Sequence, residues 1–521
     1  MAQGQPRPSA RPRHALAVSV AALLLASCAV GPNFKRPAPL PLANGYAPAP
    51  LAPTTASAPD VVNGNAERFV MGRDIPFAWW TQFGSAKLDA LVDRALTANP
   101  TLTAAIAALR QAQEQVAAQR GFFYPTVSAS FQPSRQQLAG NLGGNSPGVQ
   151  GNGSTISTYQ NPNGPPPYNA PVAYNFYTAQ VSLSYTPDLF GGNRRQVESL
   201  KAQAESLRFQ MEATYITLVS NVVAAAIQEA SLQAQIKATN AFIDTNEQAL
   251  AIVQEQFRQG FVMRIDVAGQ EAALAQAKAQ LPPLQKQLEQ THDLIRALAG
   301  GMPGDPIDLT FDLDTLHLPG ELPVSLPIQL IDQRPDIRAA EEQVHAASAQ
   351  VGVAVANRLP QFTITAAYGG AASVISQMFS AGGPFWNLIG DLTAVVFDGG
   401  TLRHRQRAAE QSLLQARAQY RSTLITAFQN VADTLHAIQS DADALKAVAQ
   451  AETAAKVTRD VTRSQYQLGY VNYQTLLLAD GAYQQAVITR VQAQTNRYGD
   501  AAALFQALGG GWWNRTAPSS G

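Results

Sequence analysis

The sequence predicts a mainly α-helical protein with a membrane β-barrel. It reads as internally duplicated, with a long coiled-coil α-helical barrel and four β-strands per protomer, so that a trimer forms a 12-stranded barrel. Three observations predict this. First, four landmarks recur in one order. Asn99-Pro100-Thr101-Leu102-Thr103-Ala104-Ala105 matches Arg334-Pro335-Asp336-Ile337-Arg338-Ala339-Ala340, and Phe123 to Val127 matches Arg358 to Phe362. Leu189 to Arg194 matches Val396 to Thr401, and Phe257 to Val262 matches Tyr466 to Val471. One large unit has therefore been duplicated in tandem. Second, the stretches Gln196–Gln259 and Thr401–Leu468 contain neither Gly nor Pro. At 1.5 Å per residue each makes a helix of about 95–100 Å. Third, four shorter segments alternate apolar and polar side chains, the period of a strand with two unlike faces.

In chain order, residues 1–27 are expected to be a lipoprotein signal peptide. Arg7, Arg11 and Arg13 supply the basic start, and Ala15 to Ala26 is an apolar stretch too short to span a bilayer. Leu25-Ala26-Ser27-Cys28 looks like a lipobox, which makes Cys28 the lipidated first residue of the mature chain. An ordinary signal peptide with an incidental cysteine is the alternative, but the single Cys of the chain falls at the position the motif requires. Residues 28–83 read as a lipid-anchored tether, extended and rich in Pro and Ala to about residue 66, with Phe77-Ala78-Trp79-Trp80 anchoring it to the body. Residues 84–300 form the first repeat, with strands at about 123–132 and 176–187 and long helices at 192–259 and 262–299. A linker occupies 301–327. The second repeat, 328–508, has strands at about 359–368 and 385–397 and long helices at 401–468 and 471–507, and 509–521 is a tail. Pro133 to Val172, dominated by Gly, Asn, Ser, Pro and Gln, reads as an exposed, mobile loop, and its counterpart at Ser376 to Pro384 is short. Pro282-Pro283 is expected to kink or interrupt the helix that carries it.

The strand pattern sets Val127, Ala129 and Phe131 against Ser128, Ser130 and Gln132, and Tyr177, Ala179, Val181, Leu183 and Tyr185 against Thr178, Gln180, Ser182 and Ser184. This fits an outer-membrane barrel strand with polar side chains inward. A half-buried strand of a soluble sheet alternates identically. Four strands cannot close a barrel, and open sheet edges cannot stand in lipid; three copies supply twelve, enough for an open lumen. In the second Gly- and Pro-free run, Leu424, Phe428, Val431, Leu435, Ile438, Ala442, Leu445 and Val448 step by four and three, as in a coiled-coil seam. Gly260 and Gly469 follow the long helices as C-cap glycines.

Composition excludes several classes. Lys plus Arg and Asp plus Glu both total 37, so the net charge is zero and no basic concentration points to nucleic acid. No apolar run of about 18 residues is evident, so no spanning helix is expected. The six histidines show no metal-ligand spacing, and His345 and His404 are expected on helix surfaces. No phosphate loop or nucleophile elbow is present. The expectation is a protein without catalysis and without a cofactor other than a covalent lipid on Cys28.

Cys28-Ala29-Val30-Gly31-Pro32-Asn33-Phe34, Trp79-Trp80 followed by Phe83, Arg334 to Glu341, Phe397-Asp398-Gly399-Gly400 and Leu508-Gly509-Gly510-Gly511-Trp512 together resemble the TolC-like outer membrane factors, in the lipoprotein branch called NodT. The resemblance covers essentially the whole mature chain. It implies a homotrimeric channel in the outer membrane, anchored by lipid, with its helical part in the periplasm. It also implies a periplasmic adaptor protein and an inner-membrane pump of the resistance-nodulation-division type as partners, and export of small molecules such as drugs. The outer component of a type I protein secretion system, or a structural periplasmic lipoprotein with a soluble sheet, remains as an alternative. By the same resemblance the turns at Arg258, Gly260 and Phe261 and at Gln467, Gly469 and Tyr470 are adaptor-docking tips, although Gln467 lacks the Arg that Arg258 keeps. The periplasmic gate falls to Asp480, Leu478 or Asp266. A ring of carboxylates there favours cations, whereas Leu477 and Leu478 make an apolar constriction.

Overall fold

The computed structural model describes residues 29–38, 45–46, 52–138, 172–308 and 310–515. Cys28, the signal peptide and most of the long loop expected after Pro133 lie outside these residues. The elements in chain order are β1 (Arg68–Met71), α1 (Ala86–Ala98), α2 (Pro100–Gly121), β2 (Thr126–Leu138), β3 (Val172–Tyr185), α3 (Gly192–Arg258) and α4 (Arg264–Leu298). Then follow β4 (Glu321–Val324), α5 (Pro327–Gln333), α6 (Pro335–Ala356), β5 (Gln361–Ala372), β6 (Pro384–Thr393), α7 (Thr401–Gln467) and α8 (Tyr473–Ala507). The chain divides into a sheet-bearing unit (1–35, 113–202, 345–415) and a helical unit (36–112, 203–344, 416–521).

The sheet-bearing unit holds one antiparallel sheet in the order β2-β3-β5-β6. The register places Ala129, Val181, Tyr368 and Trp386 in one cross-strand row, and Val127, Leu183, Ala366 and Leu388 in the next. Ser128, Ser182, Ala367 and Asn387 form a row on the opposite face. One face is therefore mainly apolar and the other mainly polar and small, because directly opposed residues of an antiparallel ladder share a side. The strands depart from the expected bounds. β2 starts at Thr126 and continues through Pro133 to Leu138, so the supposed loop begins as strand, and β3 starts at Val172. Pro133 is tolerated because β2 is an edge strand with a free N–H side. β5 runs on to Ala372 and β6 stops at Thr393, leaving 394–397 outside the ladder.

In the same unit the segment beginning at Ala29 is fastened rather than free. Arg195, buried on α3, donates to Val30 O at 3.0 Å, Ala29 O at 3.3 Å and Asn33 Oδ1 at 2.7 Å, and Val30 N donates to Phe190 O at 3.1 Å. Phe34 stacks on His345 with ring centroids 4.3 Å apart. His345 is thus half-buried and bonded to Glu198 at 3.2 Å, not a surface residue as the sequence suggested.

The helical unit centres on an aromatic cluster. Trp79, Trp80 and Phe83 are buried, and Trp79 stacks on Phe505 at 5.1 Å. The expected tether is largely built into this body: Thr55 N donates to Glu67 O, Ala58 is buried, and β1 pairs in parallel with β4. That small parallel sheet was invisible in the sequence, since two four-residue strands from the tether and the linker have no periodicity to betray them. The tail also packs, with Trp512 Nε1 donating to Gln333 O at 2.7 Å.

The duplicated motif at the start of α2 and α6 performs one task twice. Asn99 caps α2 through Thr101 N at 2.8 Å and donates Nδ2 to Leu298 O, the end of α4, at 2.9 Å. Arg334 pairs with Asp336 at 2.6 Å and donates Nη1 to Ala507 O, the end of α8, at 2.8 Å. Each satisfies a carbonyl left open at a helix C-terminus; the arginine also places a cation at the negative pole.

Through the middle of α7 the buried positions are Leu424, Ala427, Val431, Leu435, Ile438, Ala442, Leu445 and Ala449. The seam therefore runs through Ala427 and Ala449, and Phe428 and Val448 sit beside it, partly buried. Bulky side chains were the visible signal in the sequence, and the buried alanines Ala427 and Ala449 gave none. α4 is continuous through Pro282 and Pro283, so the expected interruption does not occur. α3 contains a stretch long and apolar enough to cross a membrane, contrary to expectation, but most of it is buried inside the protein. It is a core helix, with Val219, Val222, Val223, Ala226, Ile227 and Ala230 all buried.

A buried charge cluster ties β1's approach to α8. Arg497, 2% exposed, donates to Glu67 Oε2 at 2.7 Å and to Asn65 O at 3.0 Å. Asp500 lies in the same region against Asp441 of α7. Desolvation, then the Asp441 charge and hydrogen bond, push its carboxyl up to about 7. A carboxyl whose folded pKa lies above its unfolded value of about 3.9 binds its proton more tightly when folded. Its contribution to stability is complete below about pH 4 and is lost as pH rises through about 7. Asp500→Asn is expected to remove that slope and to melt higher than wild type at pH 8. Thermal unfolding of the detergent-solubilised protein at pH 5 and pH 8 measures this, and identical pH dependence in the two proteins would contradict it.

Candidate functional site

The two helix turns expected as tips are built alike. At the end of α3, Gly260 N donates to Phe257 O at 3.0 Å and Phe261 N to Gln256 O at 2.9 Å. At the end of α7, Gly469 N donates to Tyr466 O at 3.0 Å and Tyr470 N to Gln465 O at 2.9 Å. Both are Schellman closures that satisfy the last carbonyls of a helix. They need a left-handed residue, and Gly260 and Gly469 have φ of +79° and +78°. No atom lies within 4 Å of a Cβ built on either glycine, so backbone conformation alone demands them. The turns push Phe261 and Tyr470 into solvent, 76% and 78% exposed, with Met263 and Leu468 also exposed. Arg258 pairs with Glu255 one turn back. Gln467 is exposed, so the two tips match in backbone and differ in charge.

Behind the tips the four helix ends are joined. Val253, Val267, Tyr473 and Leu476 form a small apolar cluster. Tyr466 and Tyr473 pack at 5.3 Å, and Tyr466 Oη donates to Gln256 Oε1 at 3.1 Å. The Tyr473 hydroxyl donates to Gln270 Oε1, and Gln270 Nε2 donates to Asn246 O at 2.8 Å and Asn246 Oδ1 at 3.0 Å. One polar chain thus links α3, α4 and α8. Burial pushes the Tyr473 hydroxyl up, which keeps it a neutral donor. Sequence reasoning missed this network. Gln270 is one of many glutamines on a polar helix, and only its complete burial marks it.

The three candidate gate residues separate. Leu478 is 69% exposed, while Leu477 packs against the apolar cluster. Asp480 is half-buried and lies 3.6 Å from Arg463 of α7. Burial pushes its carboxyl up, and Arg463 and Arg459 pull it back. Asp266 accepts from Met263 N at 2.9 Å, capping the start of α4. Its neighbour Arg264 turns instead towards Glu271 at 3.6 Å. Both carboxylates therefore have local work, and Leu478 alone projects freely.

The outer membrane efflux protein family matches residues 91–301 and 326–510, the two repeats. The chain belongs to the outer membrane efflux protein family. It is 29% identical over 441 residues to the pyoverdine export outer membrane protein OpmQ of Pseudomonas aeruginosa, covering 83% of this chain and 87% of that protein. It is 26% identical over 512 residues to the outer membrane protein OprJ of Pseudomonas aeruginosa, covering 96% and 97%. Its fold superposes on the outer-membrane channel OprN with a TM-score of 0.78 at 24% identity, covering 93% of this chain and all of that one. This efflux-family protein is accordingly an outer-membrane protein. Phe261 and Tyr470 at the tips and Leu478 on α8 are among its exposed apolar side chains in the helical unit.

Replacing Gly260 or Gly469 by alanine forces a Cβ into the left-handed region, at a cost of about 1 kcal/mol each. The expected outcome is local loosening of the tip. Trypsin should cleave after Arg258 roughly fivefold faster in Gly260→Ala than in wild type, if cleavage follows the population of the open turn. Timed proteolysis read by mass spectrometry checks this, and an unchanged rate contradicts it.

Proposed function

We propose that this protein is the exit duct of a tripartite efflux pump, a homotrimer that lets small molecules pass passively through the outer membrane. The observation that carries the reading is the outward apolar face of the sheet. Val127, Phe131, Val181, Tyr368, Trp386, Leu388 and Leu392 are all exposed on it, and no other described element covers them. A soluble sheet buries such a face, because a large contiguous apolar patch in water is a liability. A barrel strand presents it to lipid. This argues against a structural lipoprotein with a soluble sheet. The edges β2 and β6 then require partners, and three copies of four strands give twelve, enough for a water-filled lumen lined by the serine, threonine and glutamine face.

Cys28 carries the covalent lipid in this reading. The exposed Arg258–Phe261 and Gln467–Tyr470 turns meet a periplasmic adaptor, and an inner-membrane pump of the resistance-nodulation-division type supplies the energy. The duct itself catalyses nothing. Leu478, repeated three times around the axis, forms an apolar constriction that holds the closed state by dewetting, with Asp480 held back by Arg463 and Asp266 by its cap.

Planar bilayers and native mass spectrometry test the reading. The expected result is a trimer that conducts ions, carrying an acyl mass that Cys28→Ser lacks. A monomer that conducts nothing would sink it. For the gate, Leu478→Ser should raise single-channel conductance several-fold, while Asp480→Asn should leave cation preference unchanged. A loss of cation preference in Asp480→Asn would return the gate to the carboxylate.

A further inference from the structure

Where the strands meet the helices, the sheet-bearing unit carries a cavity of about 470 Å³. Its walls include Arg120 from the last turn of α2, Phe123 and Tyr124 from the turn into β2, and Arg194 and Lys201 from α3. On α3, positions 194, 197, 198 and 201 recur at helical spacing, so Arg194, Glu198 and Lys201 share one face. Three cations line the space against one carboxylate. That carboxylate, Glu198, is already engaged by Arg195 at 2.7 Å and by His345 at 3.2 Å. Arg194 is held in place by Asp188, through its backbone N–H at 2.9 Å and its side chain at 3.2 Å. Among the described residues neither Arg120 nor Lys201 has a carboxylate partner. The charge left over is that of Arg120 and Lys201, which are exposed beside the open space.

Position gives the ligand. Tyr124 stands two residues before the first residue of β2, and Arg194 is in the first turn of α3, nine residues beyond the end of β3. The cavity thus lies at the helix-side ends of the strands. Phe122 and Tyr124 are exposed there, as aromatic side chains are at a membrane interface. Ala29, the first described residue after Cys28, lies against the same part of α3, held by Arg195. We infer that this cavity binds the phosphate headgroup of an anionic glycerophospholipid in the periplasmic leaflet, with Arg120 and Lys201 gripping the phosphate and Tyr124 lying at the glycerol level. A flat aromatic at headgroup depth beside two uncommitted cations suits a lipid phosphate with its chains running along the apolar sheet face. Inorganic phosphate has no group for Phe123 and Tyr124 to hold. The inference rests on the strands standing in a membrane, as proposed above.

The test uses the full-length trimer in neutral detergent, titrated with phosphatidylglycerol, phosphatidylcholine or inorganic phosphate and read by native mass spectrometry. Oligomeric state and conductance are recorded on the same samples. Phosphatidylglycerol is expected to bind at up to three per trimer and phosphatidylcholine much more weakly, with millimolar inorganic phosphate failing to displace the lipid. Arg120→Gln/Lys201→Gln should weaken phosphatidylglycerol binding about thirtyfold, from the usual contribution of a surface cation to anionic-lipid attraction. The control Lys456→Gln, on the part of α7 that belongs to the helical unit, should leave it unchanged. Equal binding by wild type and double variant, equal binding of the two lipids, or saturation by inorganic phosphate alone overturns the inference. If those results come from a trimer that still conducts, the duct reading survives. If wild type is monomeric and silent yet binds phosphatidylglycerol through Arg120 and Lys201, the duct reading fails and the headgroup site stands.

Discussion

Among the described residues the strands β2 and β6 each leave a row of backbone N–H and C=O groups without a neighbouring strand, and the sheet between them turns Val127, Val181, Tyr368 and Trp386 outward together. In water the apolar face is costly; in lipid the open edges are costly. Both costs vanish only when copies of the chain join edge to edge with the apolar rows facing hydrocarbon. That constraint explains why the opposite face is mostly Ser, Thr, Gln, Asn and small residues, with Ile389 and Phe385 among them, and why so little of the sheet-bearing unit's apolar content is buried within one protomer. It also explains why a chain of 521 residues devotes only two hairpins to a barrel.

Duplication supplies the rest economically, but with local differences that matter. Asn99 and Arg334 both close the far end of a returning helix, one as a neutral amide and one as a cation paired with Asp336. Gly260 and Gly469 end their helices in the same conformation, while Arg258 and Gln467 give the two turns different charge. A partner meeting both turns therefore encounters the same backbone shape with two electrostatic signatures. The core is unequal too. α3 is buried on most of its sides through its middle, whereas α7 buries a single seam of Leu, Val, Ile and Ala.

Near the tips the buried polar joint is neutral and the half-exposed one is charged. Asn246, Gln270 and Tyr473 connect three helix ends without an ion, which avoids the desolvation cost of a buried charge. Arg463 and Asp480, half-exposed, pair across α7 and α8 a little further along. Elsewhere charge is buried, as at Arg497 with Glu67 and at Arg195, and the carboxyl of Asp500 against Asp441 makes the protein sensitive to pH.

The sequence by itself determined the duplication, the long helices, the four alternating strands and the glycine turns. All of these are local periodicities or single-residue conformational demands, and each is written in consecutive residues. It also identified the residues near the tips by type, though not their roles. The tertiary structure decided what depends on distant partners. The β1–β4 pair, the fastening of Ala29 to Asn33 by Arg195 and the Gln270–Tyr473 bond join segments tens to hundreds of residues apart. Asp480 and Asp266, gate candidates in the sequence, lie beside Arg463 and at a helix cap in the protomer. Whether an alternating strand shows its apolar side to a core or to lipid was equally open, because alternation encodes two faces but not what covers them. Only the exposures of the described sheet residues showed the apolar face bare.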